Sequence, residues 1–189
     1  FLYLNNGNGK FTEIGAKLGV QRPFASFPTF WLDYDNDGWL DLFVANDTQP
    51  NRLYRNTGKG SFVDDGVTAG VAFNAEGKAR AGMGTDAADF DGSGRPGLVI
   101  GNFSNEMISL YRNEGSSLFV DDAPATVIGP TSPLTLAFAT FFFDADLDGW
   151  PDVLFVNGRD WPGNRARQRS TLQLYRNNRN GTFTDVTRA

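Results

Sequence analysis

The chain has 189 residues, 40% hydrophobic and 21% charged, the profile of a globular protein with one sizeable core and not of a disordered segment. Lys and Arg number 17 against 22 Asp and Glu, a net charge of -5 that excludes the basic footprint of a nucleic-acid or anionic-membrane binder. Cysteine and histidine are both absent, which removes disulfides, zinc sites, thiol nucleophiles and His-based general bases, so any chemistry rests on carboxylates.

In chain order, the first readable element is Leu2-Tyr3, followed by a turn and Phe11. Thr29 to Asn46 comes next, an apolar run interrupted by Asp33, Asp35, Asp37, Gly38 and Asp41. Leu53-Tyr54, a turn and Phe62 repeat the opening pattern. Thr85 to Asn102 repeats the acidic segment with Asp89, Asp91, Ser93 and Gly97, and Leu110-Tyr111 with Phe119 follows. Thr140 to Asn157 carries Asp144, Asp146, Asp148, Gly149 and Asp152, and the chain closes on Leu174-Tyr175 and Phe183. No stretch approaches the roughly 20 continuous apolar residues of a membrane helix, and because the chain opens on Phe1 the lack of a signal peptide carries no weight.

The first Asp of each acidic segment recurs at 33, 89 and 144, a period of about 55 residues. Between landmarks the apolar runs are short and bounded by Gly, Asn and Asp, so they read as buried strands joined by tight turns. Each repeat then holds four strands: one entering the acidic loop, one leaving it, the Leu-Tyr strand and the Phe strand. The fold expected is all-β, a β-propeller of four-stranded antiparallel blades. A half blade covers 1–15 and full blades cover 27–68, 82–124 and 136–189, the last with an insertion at 158–170. About three and a half blades cannot close a ring, so the chain is expected to be part of a longer polypeptide.

The loops read D-x-D-x-D-G-x-x-D, complete in the first and third copies. Ca²⁺ takes six to eight oxygen ligands, and alternate carboxylates followed by a Gly turn supply them. The expected ligands are Asp33, Asp35, Asp37, Asp41 and the Trp39 carbonyl in the first loop, and Asp144, Asp146, Asp148, Asp152 and the Trp150 carbonyl in the third. An EF-hand would need Glu at position 12, where Val44 and Phe155 stand, and helices on both sides. A purely polar turn would leave carboxylates about 5 Å apart repelling by roughly 1 to 3 kcal/mol per pair, a cost that a divalent cation reverses. In the middle loop Ser93 and Gly97 replace two carboxylates; Asp89, Asp91 and Ser93 form a weaker candidate, and the sequence leaves open whether it takes an ion.

Tyr54, Tyr111 and Tyr175 are each followed by Arg, read as a structural pair: Tyr packed between blades, Arg against a neighbouring acid or on the surface. The insertion carries Trp161, Arg165 and Arg167 in an otherwise acidic chain, a composition enriched at interfaces, and is a candidate docking loop for a partner.

The acidic loop with its Leu-Tyr-Arg-Asn strand resembles FG-GAP and VCBS repeats, the blades of integrin-α-like propellers. Phe142 to Gly158, with Gly82-Met83-Gly84-Thr85-Asp86, resembles bacterial proteins of the cartilage acidic protein group, which often end in an ASPIC/UnbV region not visible here. Arg159 departs from the His common in that group. The resemblance implies an extracytoplasmic protein (secreted, periplasmic or cell-surface) with structural calcium, and no defined reaction. The expectation is a calcium-stabilised module that binds a protein or a glycan, not an enzyme. The alternative is a calcium-assisted hydrolase, which would need a carboxylate pair about 5 to 9.5 Å apart in a cleft outside the loops.

Overall fold

Runs such as Leu42-Phe43-Val44-Ala45 and Leu98-Val99-Ile100 have no polar alternation, because both faces of the strands they form are covered. A computed structural model describes residues 1–133, 135–158 and 172–188. The first strands, β1 (Tyr3–Asn5) and β2 (Phe11–Glu13), pair as a two-stranded sheet. Three four-stranded antiparallel meanders follow, each with its strands in sequence order. They are β3 (Ser26–Leu32), β4 (Asp41–Asn46), β5 (Arg52–Asn56) and β6 (Phe62–Asp64); β7 (Gly82–Ala88), β8 (Gly97–Asn102), β9 (Ser109–Gly115) and β10 (Leu118–Asp121); and β11 (Ala137–Phe143), β12 (Asp152–Asn157), β13 (Leu172–Asn177) and β14 (Phe183–Asp185).

Register repeats with the sequence. Leu42 stands opposite Tyr54, Leu98 opposite Tyr111 and Val153 opposite Tyr175. A bulge interrupts the entry strand at Ser26/Thr29, Gly82/Gly84 and Ala137/Ala139. Since successive side chains point to opposite faces, Leu98 and Ile100 turn toward the first blade, where they join Phe43, Ala45 and Leu53. Val99 and Leu110 turn the other way and join Val153, Phe155 and Tyr175 of the third. Each fully buried Leu, Val or Phe is worth about 1.5 to 3 kcal/mol, so the inter-blade layers and not the sheets' own hydrogen bonds hold the blades in order. The second and third blades approach closely at Gly101, where a Cβ would lie 2.5 Å from the Ala137 carbonyl oxygen; only glycine fits there.

The expected candidate docking loop, with Trp161, Arg165 and Arg167, lies outside the described residues. Among the described residues no helix is long and apolar enough to cross a membrane.

Candidate metal centres

Each acidic loop joins the first two strands of a blade. In each, positions 4 and 6 turn the backbone through the left-handed region: Asn36 and Gly38 (φ 58 and 87), Gly92 and Gly94 (73 and 77), Leu147 and Gly149 (60 and 88). That geometry aims backbone N–H groups inward at the position-1 carboxylate. Asp33 accepts from Asp37 N–H on Oδ1 (3.0 Å) and Gly38 N–H on Oδ2 (2.9 Å). Asp89 accepts from Ser93 and Gly94 N–H at 3.0 and 2.8 Å, and Asp144 from Asp148 and Gly149 N–H at 2.9 and 2.8 Å.

In the first loop one carboxylate oxygen each from Asp33, Asp35 and Asp37 lie within 4.8 Å of one another. Asp35 Oδ1 is buried there without a hydrogen-bond partner among the described residues. Burial first, then the adjacent charges of Asp37 and Asp33, push the Asp35 carboxyl above its ordinary pKa, with the Arg55 guanidinium acting in the opposite direction. In the third loop the set within 4.8 Å is Asp144, Asp146 and Asp152. Asp148 Oδ2 instead accepts Arg179 Nε and Nη2 at 3.0 and 2.7 Å, and this guanidinium holds the carboxyl below the usual range. In the middle loop Asp89 and Asp91 both face the Ser93 N–H at 3.0 Å, and no third carboxylate joins them among the described residues.

The position-9 aspartates do more than close a cage. Asp41 is fully buried and accepts Tyr34 N–H (3.1 Å) and Asn56 N–H (2.7 Å), tying the loop to β5. Asp152 does the same with Ala145 and Asn177 N–H at 3.0 and 2.8 Å. Burial pushes the Asp41 pKa up to about 6 against those two hydrogen bonds. An acid with that pKa would suit proton transfer, but its side chain is fully buried and both oxygens accept backbone N–H groups. The middle blade has Gly97 at this position, where a Cβ would meet the Phe90 ring at 2.4 Å.

Trp39 and Trp150 hold equivalent positions but differ in surroundings. Trp150 lies over Gly92 of the middle loop, and Trp39 over Gly58 of its own blade. Asp86, three residues before the middle loop, accepts Phe142 N–H at 2.8 Å and so joins β7 to β11. Sequence reasoning also missed a clasp between blades. Asn113 Nδ2 donates to the Tyr34 carbonyl at 2.8 Å, and Asn177 Nδ2 to the Phe90 carbonyl at 2.8 Å, each reaching position 2 of the preceding blade's loop. The signal was present as the Asn ending each Leu-Tyr-Arg-Asn strand. The pairing of Arg with acid holds in two blades, Arg55 with Asp65 at 2.7 Å and Arg112 with Asp122 at 2.6 Å.

The FG-GAP-like repeat family model matches residues 33–100 and again 89–155, each match running from one acidic loop into the next blade. This chain belongs to the FG-GAP-like repeat family. Its FG-GAP-like blades are similar to cartilage acidic protein 1 of Mus musculus (31% identical over 147 residues, 77% of this chain) and of Xenopus tropicalis (30% over 155 residues, 82% of this chain). The chain spans 22% and 23% of the lengths of those two relatives. Among solved structures it is similar to an Agrocybe aegerita lectin described as recognising non-reducing terminal N-acetylglucosamine. That likeness has a TM-score of 0.50 at 20% identity and covers 98% of this chain and 45% of the lectin, which establishes the shared propeller fold.

Proposed function

We propose that these blades form a calcium-stabilised binding module that works outside the cytoplasm and takes a protein or glycan partner. The observation that carries the reading is that carboxylate oxygens of Asp33, Asp35 and Asp37 lie within 4.8 Å of one another, in a loop where a buried Asp35 oxygen has no hydrogen-bond partner among the described residues. Hard carboxylate oxygens at that density suit Ca²⁺, which tolerates irregular cages. Asp33, Asp35 and Asp37 would hold the ion in the first loop, with Asp41 and the Trp39 carbonyl in reserve. In the third loop the holders would be Asp144, Asp146 and Asp152, with Asp148 and the Trp150 carbonyl. Asp89, Asp91 and Ser93 would form a weaker middle site. The bound ion supplies charge neutralisation that locks the turn between two strands. The acidic loops are scaffold in this reading and the chain is not an enzyme.

The relatives, which are cartilage acidic proteins, support an extracytoplasmic setting, where millimolar calcium would suffice to fill sites of the weak extracellular class, at about 10⁻⁴ to 10⁻³ M. The fold shared with a glycan-recognising lectin supports a glycan as one ligand class. Calorimetric titration of the chelated protein, with melting temperatures recorded with and without Ca²⁺, tests the reading. Two or three ions and a raised melting temperature are expected; no heat and no shift at 5 to 10 times the roughly millimolar extracellular level would end it. Binding to a panel of immobilised glycans in calcium then separates the glycan arm from the protein arm.

A further inference from the structure

The first and third loops carry the same acidic pattern but sit in different electrostatic surroundings. Asp37, at position 5 of the first, accepts Trp39 N–H at 2.8 Å, and no ion pair reaches it among the described residues. The turn between β5 and β6 beside it carries Gly58 at φ 66, whose N–H is held by Asn56 Oδ1. The matching turn between β13 and β14 carries Arg179 at φ 63, its N–H held by Asn177 Oδ1 in the same way. From there the guanidinium takes Asp148 Oδ2 with two N–H groups, while Trp150 N–H takes Oδ1 at 2.9 Å. Both oxygens of the position-5 carboxylate are thus engaged, in the loop whose converging set omits it.

A second substitution acts in the same direction. Arg55 and Arg112 are each captured by the residue after the Tyr-paired aspartate, Asp65 and Asp122. In the third blade that residue is Val186. Arg176 therefore lacks the carboxylate its counterparts have, and it lines an open cleft with Arg179, Asp146 and Asp148.

We infer that Arg179, reinforced by Arg176, is a resident cation that competes with calcium for Asp148, so that two loops alike in sequence differ in affinity, the first tight and the third weak. The inference rests on the calcium reading above. An incoming ion must either displace the guanidinium or forgo one carboxylate, and in both cases it meets two positive side chains. The pair is displaceable, since the Arg179 side chain is 55% exposed and Asp148 18%, and ion pairs at such exposure are weak. The effect is a several-fold loss of affinity and not abolition of the site. The third blade then tightens only at calcium levels above those that fill the first.

The test is calorimetric titration of Ca²⁺ into chelated protein, comparing wild type, R179G and R176Q, each also in a D33N/D89N background that leaves the third loop alone. Arg179→Gly places in this turn the residue the first blade already uses at the same φ, and melting in chelator checks that it folds. Wild type is expected to show a tighter event removed by D33N and a weaker one that R179G strengthens about 3- to 10-fold, R176Q less, with the gain shrinking as salt rises. An unchanged weaker event in R179G, or D33N removing the weaker event in place of the tighter, overturns the inference while calcium binding itself stands. Absence of any binding in wild type overturns the calcium reading and this inference with it.

Discussion

Leu147 is 87% exposed at φ 60, the loop position where the other two copies place Asn36 and Gly92. A left-handed Leu costs about 1 to 2 kcal/mol and here gains no burial in return. Leu147→Asn is therefore expected to raise stability by about 1 kcal/mol in chelator, read as a shift of the urea midpoint at unchanged slope; no shift, or a fall, would mean the loop draws something from this side chain. Tyr111 offers a second test at this scale. Burial first, then the charge of Asp121, pushes its phenol up to about 12. A pKa raised above the ordinary value near 10 means the stability it contributes is complete below pH 10 and is lost as pH rises through 12, because the unfolded phenol ionises first. Tyr111→Phe is expected to flatten that alkaline loss by on the order of 2 kcal/mol, measured by denaturant unfolding between pH 9 and 12. Composition alone could suggest neither effect, since exposure and φ are not readable from a Leu or a Tyr.

At the scale of strands and loops, the alternation of apolar and turn residues named every blade strand, because a run buried on both faces has a pattern of its own. What it could not show was the partner of each polar end. Asn113 and Asn177, each 2% exposed, clasp the loop of the blade before them and also the Pro96 and Pro151 carbonyls of their own blade. Asn56, the first in the series, donates to the exposed Leu40 carbonyl. Asn177→Ala leaves the Phe90 carbonyl buried without its donor and is expected to cost about 1 to 3 kcal/mol in chelator, and Asn56→Ala less than 1. Equal losses in urea unfolding would show that the inter-blade bond adds nothing to the local one. The glycine at position 97 has the same origin: read from sequence as a lost ligand, it is also the place where the Phe90 ring needs room.

Over the whole molecule, blades stacked through shared apolar layers make stability a sum of blade terms and nearest-neighbour interfaces. An ion that binds only the folded loop adds to that sum by mass action, about 2.7 kcal/mol per site at a hundredfold excess over Kd. Chelation is therefore expected to lower the melting temperature in steps, with D33N abolishing the step at lower calcium and D144N the step at higher calcium; a single step unaffected by either variant would contradict site-by-site stabilisation. Sequence alone determined the all-β class, the blade repeat and the three acidic loops, because period, turn chemistry and carboxylate spacing are local properties of a chain. The tertiary structure alone decided which carboxylates converge, which are spent on backbone N–H groups, and which loop faces Arg179. Those depend on residues brought from other strands: Asn56 to Asp41, Arg179 to Asp148 and Val186 into the place of an aspartate. Charge interactions act through space, over a screening length of about 8 to 10 Å at ordinary salt, and take no account of separation along the chain.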